Sequence, residues 1–219
     1  VTRDEFIKKA YFAAVGKATA PTSGNKYDAL ILSGNMFIEQ WQNEPNIDWK
    51  SLYRKESVGT ISASDRISVD LDEIRKLSTD PNDKVVLTST DGTETEYDIV
   101  KPNQLANHTK CCALMGEELV FSEAFDSDSQ WIGATVTAPY YTFAEQMTSA
   151  NDEVPVDQPL WLVYMTAAEF VRNNDYIKQG QYSNLIAMAQ DVMNSMKKNN
   201  KESQVRFASR PFTPLGQSW

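Results

Sequence analysis

The sequence predicts an α+β protein: a four-helix core built from helices near both ends of the chain, an inserted antiparallel β-domain, and an extended C-terminal tail. Three observations carry this. Apolar residues recur at steps of three and four near both ends, and they alternate with polar residues over short runs in between. Past residue 201 neither period continues. Helices at opposite ends of one chain must pack together to bury their stripes, which makes the β-block an insertion. The boundaries fall at 1–55 for the first helices, 56–145 for the β-domain, 146–200 for the returning helices and 201–219 for the tail.

Thr2 with Glu5 three residues later is a capping-box signature and starts the first helix. Phe6, Ala10, Ala13 and Ala14 form its face, and Gly16 and the Pro21-Thr22-Ser23-Gly24 cluster stop it. The second helix carries Tyr27, Leu30, Ile31, Gly34, Phe37, Ile38 and Trp41 on one stripe, and Pro45 ends it. Trp49, Leu52 and Tyr53 suit a short helical turn. In the second block Ile67, Val69 and Leu71 alternate with Ser68, Asp70 and Asp72. Val85 to Leu87 and Tyr97 to Val100 flank Asp91-Gly92, a hairpin dipeptide. Leu114-Met115 and Leu119 to Phe121 read as a second hairpin about Gly116-Glu117-Glu118. Ala134 to Tyr141 is an apolar strand, and Pro102 to Asn107 suits an inserted helical turn. These strands make a small antiparallel sheet or barrel.

The third block returns to helix. Asp157 is placed as the cap of a helix with Pro159 in its first turn. From Leu160 to Val171 that helix is apolar almost all round, which calls for burial on several sides; Trp161, Tyr164 and Phe170 are therefore assigned to packing between subunits. A last helix follows Gly180 and runs to about Asn199. Its stripe is Tyr182, Leu185, Ile186, Ala189, Val192, Met193 and Met196, with Lys197 and Lys198 at the favourable end of its dipole.

Composition excludes more than it names. The 219 residues are 41% hydrophobic and 23% charged, with five Trp, nine Tyr and nine Phe, so the chain is not disordered. No apolar run approaches ~18 residues, so no membrane-spanning helix is expected. VTRDEF shows no basic stretch leading into an apolar one, so no secretory signal is expected. The net charge is −9 and His108 is the only histidine, which disfavours a general nucleic-acid binder and a His-rich metal enzyme. Cys111 and Cys112 are adjacent, so a bond between them would close a strained ring; they read as a reduced pair.

Specific chemistry finds little footing. His108 with Cys111 and Cys112 supplies at most three ligands, where a structural zinc site takes four. As a Cys–His nucleophile pair the trio lacks a Gly-rich oxyanion loop. The phosphate-binding, dinucleotide and serine-hydrolase glycine motifs are absent. Glu117, Glu118, Glu123, Asp126 and Asp128 cluster about a hairpin, where two carboxyls at about 5–9.5 Å would permit glycoside hydrolysis. In a chain with thirty acids, a solvated turn is the better reading. Trp131 nearby could stack a sugar or plug the sheet. No catalytic, cofactor or metal residue is assigned.

The tail is the least ordinary segment. From Lys197 onward the charge sums to +4, leaving −13 for the rest of the chain. Arg206, Phe207, Arg210, Pro211, Phe212, Leu215 and Trp219 combine bases, aromatics and prolines. They suit a nucleic-acid arm, an inconsequential end, or a segment ordering on a partner with aromatics as anchors. The last accounts best for four large apolar residues.

A resemblance follows from the order of parts. Asp28-Ala29-Leu30 leads to Glu39-Gln40-Trp41. The β-domain ends in Gly116-Glu117-Glu118-Leu119-Val120-Phe121 and Gly133-Ala134-Thr135-Val136-Thr137-Ala138-Pro139-Tyr140. Val154-Pro155-Val156-Asp157-Gln158-Pro159-Leu160, Tyr164-Met165-Thr166-Ala167-Ala168-Glu169-Phe170-Val171-Arg172, Tyr182-Ser183-Asn184-Leu185 and Met188-Ala189-Gln190 complete the pattern. Over nearly its whole length the chain resembles the head-to-tail adaptor (connector) proteins of tailed bacteriophages, above all the short-tailed kind. The resemblance implies a structural virion protein, not an enzyme, forming a ring usually of twelve copies beneath the portal protein. Its C-terminal segment would reach onto the portal and its β-domain face the tail tube or nozzle. Double-stranded DNA would pass through the ring unread. An acidic body suits such a channel, because counterion release would otherwise hold the DNA. The expected place is the head-tail junction of the virion, after assembly in the host cytoplasm. A tail-completion protein, or a cell-wall hydrolase using Glu117 or Glu118 with Asp126, is the alternative.

Overall fold

The computed structural model describes residues 1–174 and 180–208, with side chains described to Lys201. It is mixed α+β and divides into two units. One consists of Val1–Ile47 and the chain from Ala144 onward; the other is Asp48–Phe143.

In the helical unit, α1 (Arg3–Val15) starts on the expected capping box: Glu5 N–H donates to Thr2 Oγ1, and Thr2 N–H donates to Glu5 Oε2. Gly16 ends it at φ +74°, a left-handed turn that a side chain would strain. Phe6, Ile7, Ala10, Tyr11 and Ala14 are its buried face. Helix α2 (Asn25–Gln42) buries Leu30, Gly34, Phe37, Ile38 and Trp41, close to the stripe read from sequence. It stops at Asn43, two residues before Pro45. Gly34 is where the two helices meet, because a Cβ there would lie 2.9 Å from Phe6 Cε1.

Helix α3 (Pro159–Asn173) starts with Pro159 at a position where a missing N–H costs nothing. The residue before it, Gln158, is the N-cap, with no side-chain hydrogen bond, so Asp157 is not the cap. Helix α4 (Gln181–Ala208) packs along α3, which also packs on α1 and α2. Most of the apolar surround of α3 is thus covered by α1, α2 and α4 of the same chain, while Leu160 is 51% exposed and Met165 half-buried. Trp161 meets Phe37 edge-on at 6.4 Å between ring centroids, and Phe170 meets Tyr11 at 5.7 Å. Helix α4 is longer than expected. It carries Arg206 and Phe207 on helical backbone, so the tail does not begin at 201. Lys, Glu, Ser and Gln at 201–204 tolerate a helix without marking one by an apolar stripe.

The sheet unit opens with a buried Trp49 and a 3-10 turn at Lys50–Leu52. Eight strands follow: β1 (Tyr53–Thr60), β2 (Arg66–Ser68), β3 (Ile74–Leu77), β4 (Lys84–Thr88), β5 (Glu94–Ile99), β6 (Cys111–Met115), β7 (Glu118–Phe121) and β8 (Thr135–Thr142). Their order is β1-β8-β4-β5-β6-β7-β2, with β3 also on β8. The hairpins about Asp91-Gly92 and Gly116-Glu117 pair as the turn dipeptides demand. The sheet is not wholly antiparallel. Strands β5 and β6 run parallel, Asp98 opposite Cys111, and the crossover holds the 3-10 turn Pro102–Asn107. The sheet curls, bringing Ile67 Cδ1 within 3.3 Å of where a Cβ on Gly59 would lie.

Strand β2 ends at Ser68 instead of continuing to Asp72. The Asp70 carboxylate accepts the Asp72 N–H at 2.8 Å, and Ile74 N–H returns to Asp70 C=O at 3.0 Å, a turn that outcompetes the alternating pattern. The core gathers Val85, Leu87, Leu119, Val136 and Ala138 about Tyr97, Phe121 and Phe125, whose rings meet edge-on at 5.1–6.5 Å.

Candidate functional site

Among the described residues, the helical unit carries a groove floored by α3 and walled by α2 and α4. Trp161, Met165 and Ala168 form its floor, and Met36, Gln40 and Glu44 come from the α2 side. Tyr182, Ile186, Gln190, Met193, Asn194 and Lys197 form the α4 wall. It has two adjoining lobes of about 470 and 350 Å³ that share Gln40, Met165 and Ile186. An ion pair between Lys197 and Glu44 spans one end. At the other, Arg172 Nη2 bonds Glu169 Oε1 at 2.6 Å. Three methionines in one groove give an adaptable apolar surface, and the side-chain amides beside them offer donors and acceptors.

The groove follows from how the stripes were filled. The α4 stripe read from sequence is wider than one contact face. Leu185, Ala189 and Met196 are buried, while Tyr182, Ile186 and Met193 turn to the groove. That excess width was the sequence signal for it. On α2, Met36 and the neighbouring Leu32, exposed at 40% and 73%, lie off the stripe and carried no such signal.

The residues assigned to packing between subunits all lie on α3. Trp161 and Phe170 are 5% and 3% exposed and are covered by the chain's own helices; Tyr164 is half-buried. Of the tail residues, Arg206 and Phe207 lie on α4, while Arg210, Pro211, Phe212, Leu215 and Trp219 lie outside the described residues.

The chemistry-bearing trio does not assemble. His108 is exposed, whereas Cys111 and Cys112 are buried and unbonded to each other. Burial, then the neighbouring Cys111 and Asp98, push the Cys112 thiol up to about 12, the opposite of an activated nucleophile. Among the described residues no group of three or more His, Cys, Asp or Glu is placed to hold a metal ion.

The acidic cluster is dispersed over separate structural tasks. Glu118 pairs with Arg66 at 2.9 Å, and Arg66 Nε also holds Asp65 at 3.0 Å, keeping the Asp65 carboxyl below the usual carboxylate range. Glu123 accepts the Tyr97 hydroxyl. Burial, then this bond, push Tyr97 well above its ordinary value. Glu117, Asp126 and Asp128 are exposed, and Trp131 packs against the sheet core. What the unit does hold is charge: residues 48–143 carry seventeen acids against nine bases, nearly all of the protein's −9.

Among the described residues no helix is long and apolar enough to cross a membrane. No protein-family model matches the sequence, and a search of curated proteins finds no similar chain.

Proposed function

We propose that this chain is a structural virion protein, a head-to-tail adaptor that assembles as a ring of twelve copies between the portal protein and the tail nozzle or tube. The observation that carries the reading is the order of parts: a helical unit made from both ends of the chain, with one sheet unit inserted between α2 and α3. In this reading α1 to α4 form the four-helix body of each subunit, and an extended C-terminal tail after Ala208 reaches the portal.

Charge supports it. The sheet unit is strongly acidic and the helical unit nearly neutral. A ring through which double-stranded DNA slides is served by surfaces that do not collect phosphates. Such a protein works by geometry, and in this reading Glu118 and Glu123 serve the fold through Arg66 and the Tyr97 hydroxyl. The place of action is the virion's head-tail junction, reached from the host cytoplasm.

The test is to mix the purified chain with the portal protein of its own phage and count subunits in electron micrographs. Twelve copies on the portal bear the proposal out. Six copies on a tail tube instead make it a tail-completion or terminator protein, and no ring with either partner overturns both. A chain ending at Ala208, which keeps all of α4, should lose portal binding while its melting is nearly unchanged. Peptidoglycan-clearing activity of the intact chain that Glu118→Gln abolishes would instead make it a hydrolase.

A further inference from the structure

We infer that the methionine-lined groove between α2 and α4 is the docking site for residues 209–219 of the same molecule, so that the free protein holds its own tail until a partner takes it. The reading of the protein as an adaptor is not needed for this.

Reach is the first argument. Helix α4 runs past Lys197, at the groove's end, to Ala208, a distance of about 16 Å at 1.5 Å per residue. The eleven residues 209–219 span at most about 36 Å when extended. Turning back along α4, they cover the 16 Å to Lys197 and have about 20 Å left. That is close to the ~16 Å of helix between Lys197 and Ile186. In that register Leu215 falls near Met193, and Trp219 reaches Ile186 and Met165.

Chemistry is the second. Phe212, Leu215 and Trp219 are large apolar side chains, and Met165 and Met193 are the kind of adaptable surface that accepts them without close prior fit. Pro211 and Pro214 favour an extended polyproline-like backbone, which has no internal hydrogen bonds and little entropy left to lose. Gln40, Gln190 and Asn194 line the groove with amides able to bond such a backbone. A segment tethered this closely acts at an effective concentration in the millimolar range, so even a weak contact fills the groove.

The experiment compares the full chain with one ending at Ala208, using a fluorescein-labelled peptide of residues 209–219 as probe. Peptide should bind the shortened chain, as read by anisotropy, and bind the full chain at least about tenfold more weakly because its own tail competes. A peptide carrying Leu215→Ala and Trp219→Ala should bind the shortened chain about tenfold more weakly, a control that leaves the protein's folding untouched. Peroxide should oxidise Met165 and Met193 faster in the shortened chain. Equal peptide binding by both chains, or none by the shortened one, overturns the inference. So does a full chain that sediments as a dimer and becomes monomeric on shortening, which would put the tail in a second copy's groove. Portal binding enters none of these readouts, so failure here is distinct from failure of the adaptor reading.

Discussion

The side-chain amide of Asn35 exchanges two hydrogen bonds with the backbone of Met147. Met147 N–H donates to Asn35 Oδ1 at 2.9 Å, and Asn35 Nδ2 donates to Met147 C=O at 3.4 Å. The two residues are 112 positions apart, with the whole sheet unit between them. Gln42 does the same work nearby, its Oε1 accepting the Ala144 N–H at 2.8 Å. An irregular segment that returns to a helical unit must satisfy its backbone groups somewhere, and here α2 supplies the partners from its side chains.

Replacing Asn35 tests this directly. Asn35→Ala leaves the Met147 N–H without its partner and should cost about 1–2 kcal/mol, since a stranded donor loses more than a hydrogen bond contributes. Asn35→Asp keeps the shorter bond and loses the longer one, so it should cost less. Urea unfolding followed by helical circular dichroism ranks wild type, Asp and Ala in that order. Equal midpoints for Ala and wild type would leave the exchange without energetic weight.

Gly34 is a second point of close approach. A Cβ there would sit 2.9 Å from Phe6 Cε1 and 3.0 Å from Met147 Cε, and Phe6 is fully buried. Alanine in place of glycine within a helix ordinarily stabilises by about 1 kcal/mol. Here overpacking should outweigh that gain, with a net loss of about 1–2 kcal/mol. Phe6→Leu combined with Gly34→Ala should recover part of the loss relative to the sum of the single changes, read in the same unfolding assay.

These contacts show what the sequence could and could not reveal. The capping box at Thr2 and Glu5 and the turns at Asp91-Gly92 and Gly116-Glu117 are local, their cause lying within a few residues. Strand β1 carries no alternating signal because it stands at one end of the strand order and Arg54-Lys55-Glu56-Ser57 is exposed at every position. Its partner β8 sits more than seventy residues on. Strand β3 is short, with polar residues at its centre. The groove was half legible, in the excess width of the α4 stripe. Its α2 wall was hidden, since Met36 stands off the buried face. Arg206 and Phe207 read as tail because the helix continues there without an apolar face to announce it.

Asp152 gives the helical unit a pH dependence. Its Oδ2 accepts the N–H of Ser149 at 2.6 Å and of Thr148 at 2.7 Å, which lowers its pKa from the ordinary aspartate value. A folded-state pKa below the unfolded one means the contribution is fully present above about pH 4. It is lost as pH falls through the folded value. The midpoint of urea unfolding should therefore drop as pH falls below about 4. Asp152→Asn should flatten part of that drop. If wild type and Asp152→Asn fall in parallel, the loss belongs to other carboxyls.

Phe170 and Leu32 separate folding from assembly. Phe170 is 3% exposed and meets Tyr11 edge-on with ring planes at 74°, so its ring is fixed by α1 within one subunit. Phe170→Ala should lower stability by about 3–5 kcal/mol through lost burial and the cavity left behind. That cost should be the same at every protein concentration, since Tyr11 and the other helices of the same chain cover the ring. Leu32 is 73% exposed on α2, one turn before Met36, so Leu32→Gln should leave the unfolding midpoint within about 0.5 kcal/mol of wild type. A Phe170→Ala midpoint that rises with protein concentration would return this ring to an interface between subunits. A concentration-independent loss keeps it in the core and turns the search for contacts within the proposed ring to exposed apolar positions such as Leu32 and Phe12.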